Sequence, residues 1–173
     1  MRLAPIPLFF HPDAALAVHY GGESSRTTHG APECVDACRY FALILCRALG
    51  GAGKEQVVAP CEEDVVSAPA ILEIAAGKYR SKTEDQVAGT GYVVRSLEAA
   101  LWCFVHTESF EGAVLKAANL GDDADTTAAI CGQVAGAFYG ESSIPDRWLE
   151  TLKVSDQIRT LADRLFKASH REA

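Results

Sequence analysis

The chain has 173 residues, 49% of them apolar, which suits a single domain with one core. Its 23 acidic and 16 basic residues give a net charge of −7 and are spread along the sequence, so no basic stripe is available to neutralise a phosphate backbone and nucleic acid is not expected as a partner. No stretch approaches the roughly 20 apolar residues of a membrane helix, and the apolar run behind Met1-Arg2 is broken by Pro5, Pro7 and Pro12, which argues against a secretory leader.

Taken in chain order, the first strong period is Cys34, Val35, Cys38, Phe41, Ala42, Leu45 and Leu49, which recur every three or four residues up to Gly50-Gly51, a helix terminator. A shorter helix is predicted from about Pro69, a favoured first-turn residue, through Ile71, Leu72 and Ile74 to a cap at Gly77. The span 81–91 has no apolar period and ends in Gly89-Thr90-Gly91, so it reads as a surface loop. Val93, Val94, Leu97, Leu101, Trp102 and Val105 line one side of a helix over 92–105, and Ser109 is placed to cap a helix carrying Val114, Leu115 and Ala118. Two more helices are expected near 126–139 and 155–168. The only β-rich fragments, 56–59 and 92–94, are too short to alternate, so the fold class is all-α. The six cysteines include no Cys-x-x-Cys pair and read as thiols packed like small hydrophobes, which predicts a soluble, cytoplasmic protein.

The chemistry concentrates in Gly121-Asp122-Asp123-Ala124-Asp125-Thr126-Thr127, where three carboxylates fall within four residues ahead of a helix. One Asp suffices to cap a helix and complement its dipole. Three adjacent carboxylates repel one another, and a hard divalent cation offsets that cost, with Asp123 and Asp125 converging and the Thr126 hydroxyl adding a third oxygen. Local chemistry alone leaves the cap and the metal both open, and the turn lacks the glycine and distal Glu of an EF-hand loop. Ala128, Ala129, Gly132, Ala135, Gly136 and Gly140 give the following helix a face of very small residues. Glycine inside a helix costs about 1 kcal/mol relative to alanine, so close approach of another backbone is expected there, with this helix central and the acidic turn at the bottom of a cleft.

The run from Gly121-Asp122-Asp123-Ala124-Asp125-Thr126-Thr127 through Gly132-Gln133-Val134-Ala135-Gly136-Ala137-Phe138-Tyr139-Gly140 resembles the C-terminal metal motif of the ADP-ribosylglycohydrolase family. Met1-Arg2-Leu3-Ala4-Pro5, Thr27-Thr28-His29, and Gly89-Thr90-Gly91-Tyr92-Val93-Val94 followed by Ala99-Ala100-Leu101-Trp102 agree with the family in the same order, so the resemblance covers nearly the whole chain. It implies a compact all-α fold with a dinuclear Mg²⁺ or Mn²⁺ centre that hydrolyses the bond between ADP-ribose and a modified protein or small molecule. The metal ligands it implies here are Asp123, Asp125 and Thr126, with Asp125 bridging two ions that orient ribose hydroxyls and water around an oxocarbenium-like centre. His29, Gly91 and Tyr92 match positions beside the ADP-ribose, although an exposed loop histidine or a core tyrosine would each be ordinary without the motif.

The resemblance also departs from the family, where the Met-Arg-x-Ala-Pro segment is internal and follows a portion carrying a Thr-Asp-Asp metal motif and the acid/base residue. The expectation is that residues 1–173 form the C-terminal portion of one such domain, that they contain no catalytic acid/base residue, and that another stretch or another chain supplies the rest. Glu62-Glu63-Asp64 and Glu84-Asp85 do not qualify as substitutes and read as solvated charge. The competing expectations are a non-catalytic ADP-ribose-binding or protein-interaction module, and a structural chain in which the acidic turn only caps a helix. Apolar surface left without the missing portion predicts self-association.

Overall fold

The computed structural model describes residues 1–61 and 65–169; the expectation for Glu62-Glu63-Asp64 lies outside them. It is a helical domain with no strand among the described residues. The helices are α1 (Pro5–Phe10), α2 (Ala14–Arg26), α3 (Pro32–Leu49), α4 (Lys54–Val57), α5 (Pro69–Ala75), α6 (Val93–Val105), α7 (Phe110–Asn119), α8 (Ala124–Tyr139), α9 (Asp146–Thr151) and α10 (Ser155–Ser169). None of them is long and apolar enough to cross a membrane.

The predicted boundaries follow local chemistry. Gly50 closes α3, and Gly51 and Gly77 adopt φ of +76° beyond the ends of α3 and α5, a left-handed conformation that suits glycine. The Ser109 hydroxyl accepts the Gly112 amide at 3.0 Å and so caps α7. The β-rich fragments resolve as the end of α4 and the start of α6. Prolines 5 and 7 interrupt an apolar run, yet they occupy the first turn of α1, where a missing N–H costs nothing.

One cluster of buried residues joins α3, α5, α6, α7 and α8, with Tyr40, Ile44, Leu45, Ile71, Leu101, Phe104 and Val134 fully enclosed. Helix α8 packs against α3, α6 and α7, which makes it as central as expected. The glycines on its small-residue face behave differently from expectation. A Cβ added at Gly132 or Gly136 would meet the side chains of Val114 and Phe110 at 3.8 and 3.7 Å, ordinary contact rather than backbone crowding. Close backbone approach occurs instead at Gly21 on α2, where a Cβ would stand 3.1 Å from the Cys38 carbonyl oxygen of α3.

None of the six cysteines forms a disulfide among the described residues. Cys46, Cys103 and Cys131 are buried, and burial pushes the first two up to about 11 and about 12. Cys34, Cys38 and Cys61 are only half-buried.

Candidate functional site

The acidic turn is built by a reversal of the chain between α7 and α8. Gly121 and Asp122 both have positive φ, +75° and +53°, so the backbone doubles back and Asp123 becomes the residue ahead of the first turn of α8. Asp123 sits in the N-cap position, but its side chain accepts no cap hydrogen bond. No hydrogen bond or ion pair among the described residues engages the carboxylates of Asp122, Asp123 or Asp125, and Asp122 and Asp125 are exposed. The simple capping role is therefore not the one these oxygens perform.

What holds the turn is backbone and packing. Thr127 is fully buried; its amide and its hydroxyl both donate to the Asp123 carbonyl, each at 3.1 Å. The Asp123 amide donates to the Gly89 carbonyl at 2.9 Å, which docks the Gly89-Thr90-Gly91 loop against the turn. A Cβ on Gly91 would lie 3.2 Å from Asp123 Oδ2, so Gly91 and the Asp123 carboxylate are immediate neighbours. Tyr92, the next residue, is 54% exposed at the N-cap of α6, with its ring outside the core. The span 81–91 is thus less of a free loop than its sequence implies. Two 3₁₀ turns, Lys78–Ser81 and Glu84–Gln86, structure it; the Trp102 indole donates to the Lys82 carbonyl at 2.9 Å, and Val87 and Gly89 are buried.

The segment 1–4 runs along α8. Gln133 Oε1 accepts the Ala4 amide at 2.9 Å while its Nε2 donates to the Met1 carbonyl at 2.6 Å, and the Thr126 hydroxyl approaches Met1 Sδ at 3.8 Å. From the neighbouring residue, the Arg2 guanidinium donates to Thr27 Oγ1 at 2.7 Å, Thr28 Oγ1 at 3.2 Å and the Ser24 carbonyl at 2.9 Å. Thr28 in turn lies 3.0 Å from His29 Nδ1. Met1 and Arg2 therefore tie the His29 turn to the start of α8.

All six residues expected at the site thus sit on connected elements: Asp123 beside Gly91 and Tyr92, and Thr126 joined through Met1 and Arg2 to His29. They do not form a closed metal cage. No group of three His, Cys, Asp or Glu side chains suited to a metal converges among the described residues. Two surface depressions open elsewhere, one lined by Ala14, Val18, His19, Arg39, Leu43 and Arg47 and the other by Phe9, Phe10, His11, Leu16 and Ala168. Neither Arg2 nor Gln133 could be read from the sequence as a support of the site, because their partners at 24–28 and 1–4 stand 22 or more positions away, and Thr127 could not because its burial against Gly89 comes from the fold.

The ADP-ribosylglycohydrolase family model matches residues 1–173. The chain belongs to the ADP-ribosylglycohydrolase family. Among curated proteins it is 42% identical over 166 residues to an ADP-ribosylarginine hydrolase Tri1 of Pseudomonas putida (strain GB-1), covering 96% of this chain and 44% of that protein. It is 40% identical to the ADP-ribosylarginine hydrolase Tri1 of Serratia proteamaculans (strain 568), with 96% of this chain and 45% of that protein covered. It is 30% identical to an ADP-ribosyl-[dinitrogen reductase] glycohydrolase of Rhodospirillum rubrum over 82% of this chain and 46% of that protein. A solved chain described as an ADP-ribosylglycohydrolase-related protein complex superposes with a TM-score of 0.84 at 39% identity, covering 97% of this chain and 58% of that one. The chain thus spans about half the length of the curated relatives it matches.

Proposed function

We propose that this chain carries one half of the metal centre of a hydrolase that removes ADP-ribose from modified arginine. The observation that carries the reading is the Asp123 carboxylate, which stands at a helix N-terminus without accepting a cap bond and abuts Gly91 instead. The donor set fits a hard divalent cation such as Mg²⁺ or Mn²⁺ in kind: two carboxylates, Asp123 and Asp125, and the Thr126 hydroxyl, all oxygen. It falls short in number, since such ions take about six oxygen ligands. The remaining ligands and the acid/base group would come from sequence that these residues do not contain, on a longer chain or a partner chain.

When bound, the cation supplies Lewis-acid and orienting chemistry for ribose hydroxyls and water. The chain's own residues do the rest of this half. Asp123 and Asp125 hold the charge at a fixed place on a buried helix, because α8 is locked on three sides. Gly91 leaves room beside that charge, and the exposed Tyr92 ring offers a face against which a base or ribose can pack. His29, exposed next to Thr28, presents its ring to a polar group of the ligand. Arginine as the acceptor is drawn from the relatives in Pseudomonas and Serratia, whose names specify it.

The test is a release assay on ADP-ribosylated arginine with Mg²⁺ or Mn²⁺. The chain alone is expected to release no ADP-ribose. A chimera joining it to the part of the Pseudomonas relative that has no counterpart here is expected to release it, and to lose that activity on Asp125→Ala. Turnover by the chain alone, or a chimera indifferent to Asp125→Ala, contradicts the half-site. Binding of ADP-ribose at micromolar concentration without turnover in either form would favour a non-catalytic binding module.

A further inference from the structure

We infer that Gly89 and Thr127 are positioning residues that clasp the substrate loop to the acidic turn and thereby fix where the Asp123 carboxylate stands. This deepens the proposed function and rests on it for its metal; the clasp itself rests on geometry alone.

Three contacts define it. The Asp123 amide donates to the Gly89 carbonyl at 2.9 Å. Thr127, fully buried, donates its hydroxyl to the Asp123 carbonyl at 3.1 Å. Gly89 itself lies so tightly on Thr127 that an added Cβ would fall 2.5 Å from its Oγ1, 3.2 Å from its Cβ and 3.3 Å from its Cγ2. That position therefore admits only glycine, since a buried threonine held by a hydrogen bond has nowhere to move. Asp123 is gripped on both sides of its peptide, amide to the loop and carbonyl to the helix. Its side chain is left without a hydrogen bond among the described residues and projects beside Gly91. One clasp thus sets the register between the loop that carries Gly91 and Tyr92 and the turn that carries Asp123, Asp125 and Thr126.

The second contact explains a threonine where valine would pack as well, and the third explains a glycine in a loop whose φ there is not left-handed. Gly89 has no side chain, and the buried Thr127 hydroxyl is committed to the Asp123 carbonyl, so both act through Asp123. Groups that orient a ligand in this way commonly change metal affinity by about 10- to 100-fold when removed.

The experiment uses the chain as it stands and two readouts: hydrogen exchange of the Asp123 amide, and affinity for Mn²⁺ alone. Gly89→Ala is expected to speed exchange at the Asp123 amide about tenfold while amides in the middle of α3 keep their protection, and to weaken Mn²⁺ binding about tenfold. Gly89→Ala combined with Thr127→Ala removes Oγ1 and Cγ2, leaving only the Thr127 Cβ position at 3.2 Å, and is expected to recover part of the protection. Thr127→Val, which packs alike without the hydroxyl, is expected to weaken Mn²⁺ binding with little change in melting temperature, and Thr127→Ser to retain it. The inference is overturned if the Asp123 amide exchanges as in the parent after Gly89→Ala, if α3 amides lose protection to the same degree, or if Thr127→Val binds Mn²⁺ as the parent does. A parent chain that keeps Asp123 protected but binds no Mn²⁺ would count against the metal reading and leave the exchange arm to decide the clasp.

Discussion

At the scale of single residues, the same side chain type is used for opposite purposes. Asp123 keeps its carboxylate free at a helix N-terminus, while Asp36, buried on α3, spends its own on structure. Burial raises the Asp36 carboxyl, but the Ser67 and Ala68 amides at 2.7 and 2.8 Å, the Ser67 hydroxyl and Arg39 outweigh it and hold the group below the usual carboxylate range. A depressed folded value means stability that is present above the ordinary carboxylate pKa and lost as pH falls through the lower, folded one. Asp36→Ala should therefore cost about 2–3 kcal/mol near neutral pH, and the gap to the parent should narrow in acid, as urea melts at pH 7 and pH 3 would show. Equal destabilisation at both values would contradict this. Asp36 had no signal in the sequence, because the Ser67 and Ala68 amides that hold it lie more than 30 positions away. The acidic turn did have one, because three carboxylates in four residues demand an explanation that a cap alone does not give.

At the scale of elements, helices with strong apolar periods and ordinary caps were legible. Those of α3, α6 and α7 begin or end where Gly50, Tyr92 and Ser109 place them. Helix α2 was not, since Gly21, Gly22 and Ser25 occupy its buried face and leave no apolar period to see. Its Gly21 is the glycine that lies against the backbone of a crossing helix, whereas sequence reasoning assigned that need to α8. The difference can be measured. Gly132→Ala meets only Val114 at 3.8 Å and should stabilise α8 by about 0.5–1 kcal/mol. Gly140→Ala should destabilise by about 1–3 kcal/mol, because Gly140 sits at φ +80° and ψ 164°, a region closed to other residues. Thermal melts that reverse this order would show that α8 is packed otherwise.

At the scale of the whole molecule, the fold joins distant stretches into one face: residues 1–4, the turn at 27–29, the loop at 89–92 and the start of α8. The family resemblance identified all four stretches, but only the fold shows that Arg2 and Gln133 tie the first two to the last. Self-association was expected at apolar surface left by the missing portion; a separate exposed apolar stretch on α10 offers a place to test for it. Helix α10 buries no residue, and Ile158 and Leu161 are 47% and 55% exposed on it, near the exposed Leu152 and Val154. Sedimentation velocity should show an oligomer that grows with concentration, and Leu161→Asp should return it to monomer; a parent chain monomeric at all concentrations would remove that expectation. The acidic turn is proposed as a metal half-site and not a helix cap. Its most direct test is Mn²⁺ titration, followed by electron paramagnetic resonance, of the parent chain and of Asp125→Ala at matched folded fraction. A half-site gives measurable binding that falls at least about tenfold in the variant with little loss of stability; equal affinity in the two, with a loss of about 1 kcal/mol of stability, is what a cap would give and would contradict it.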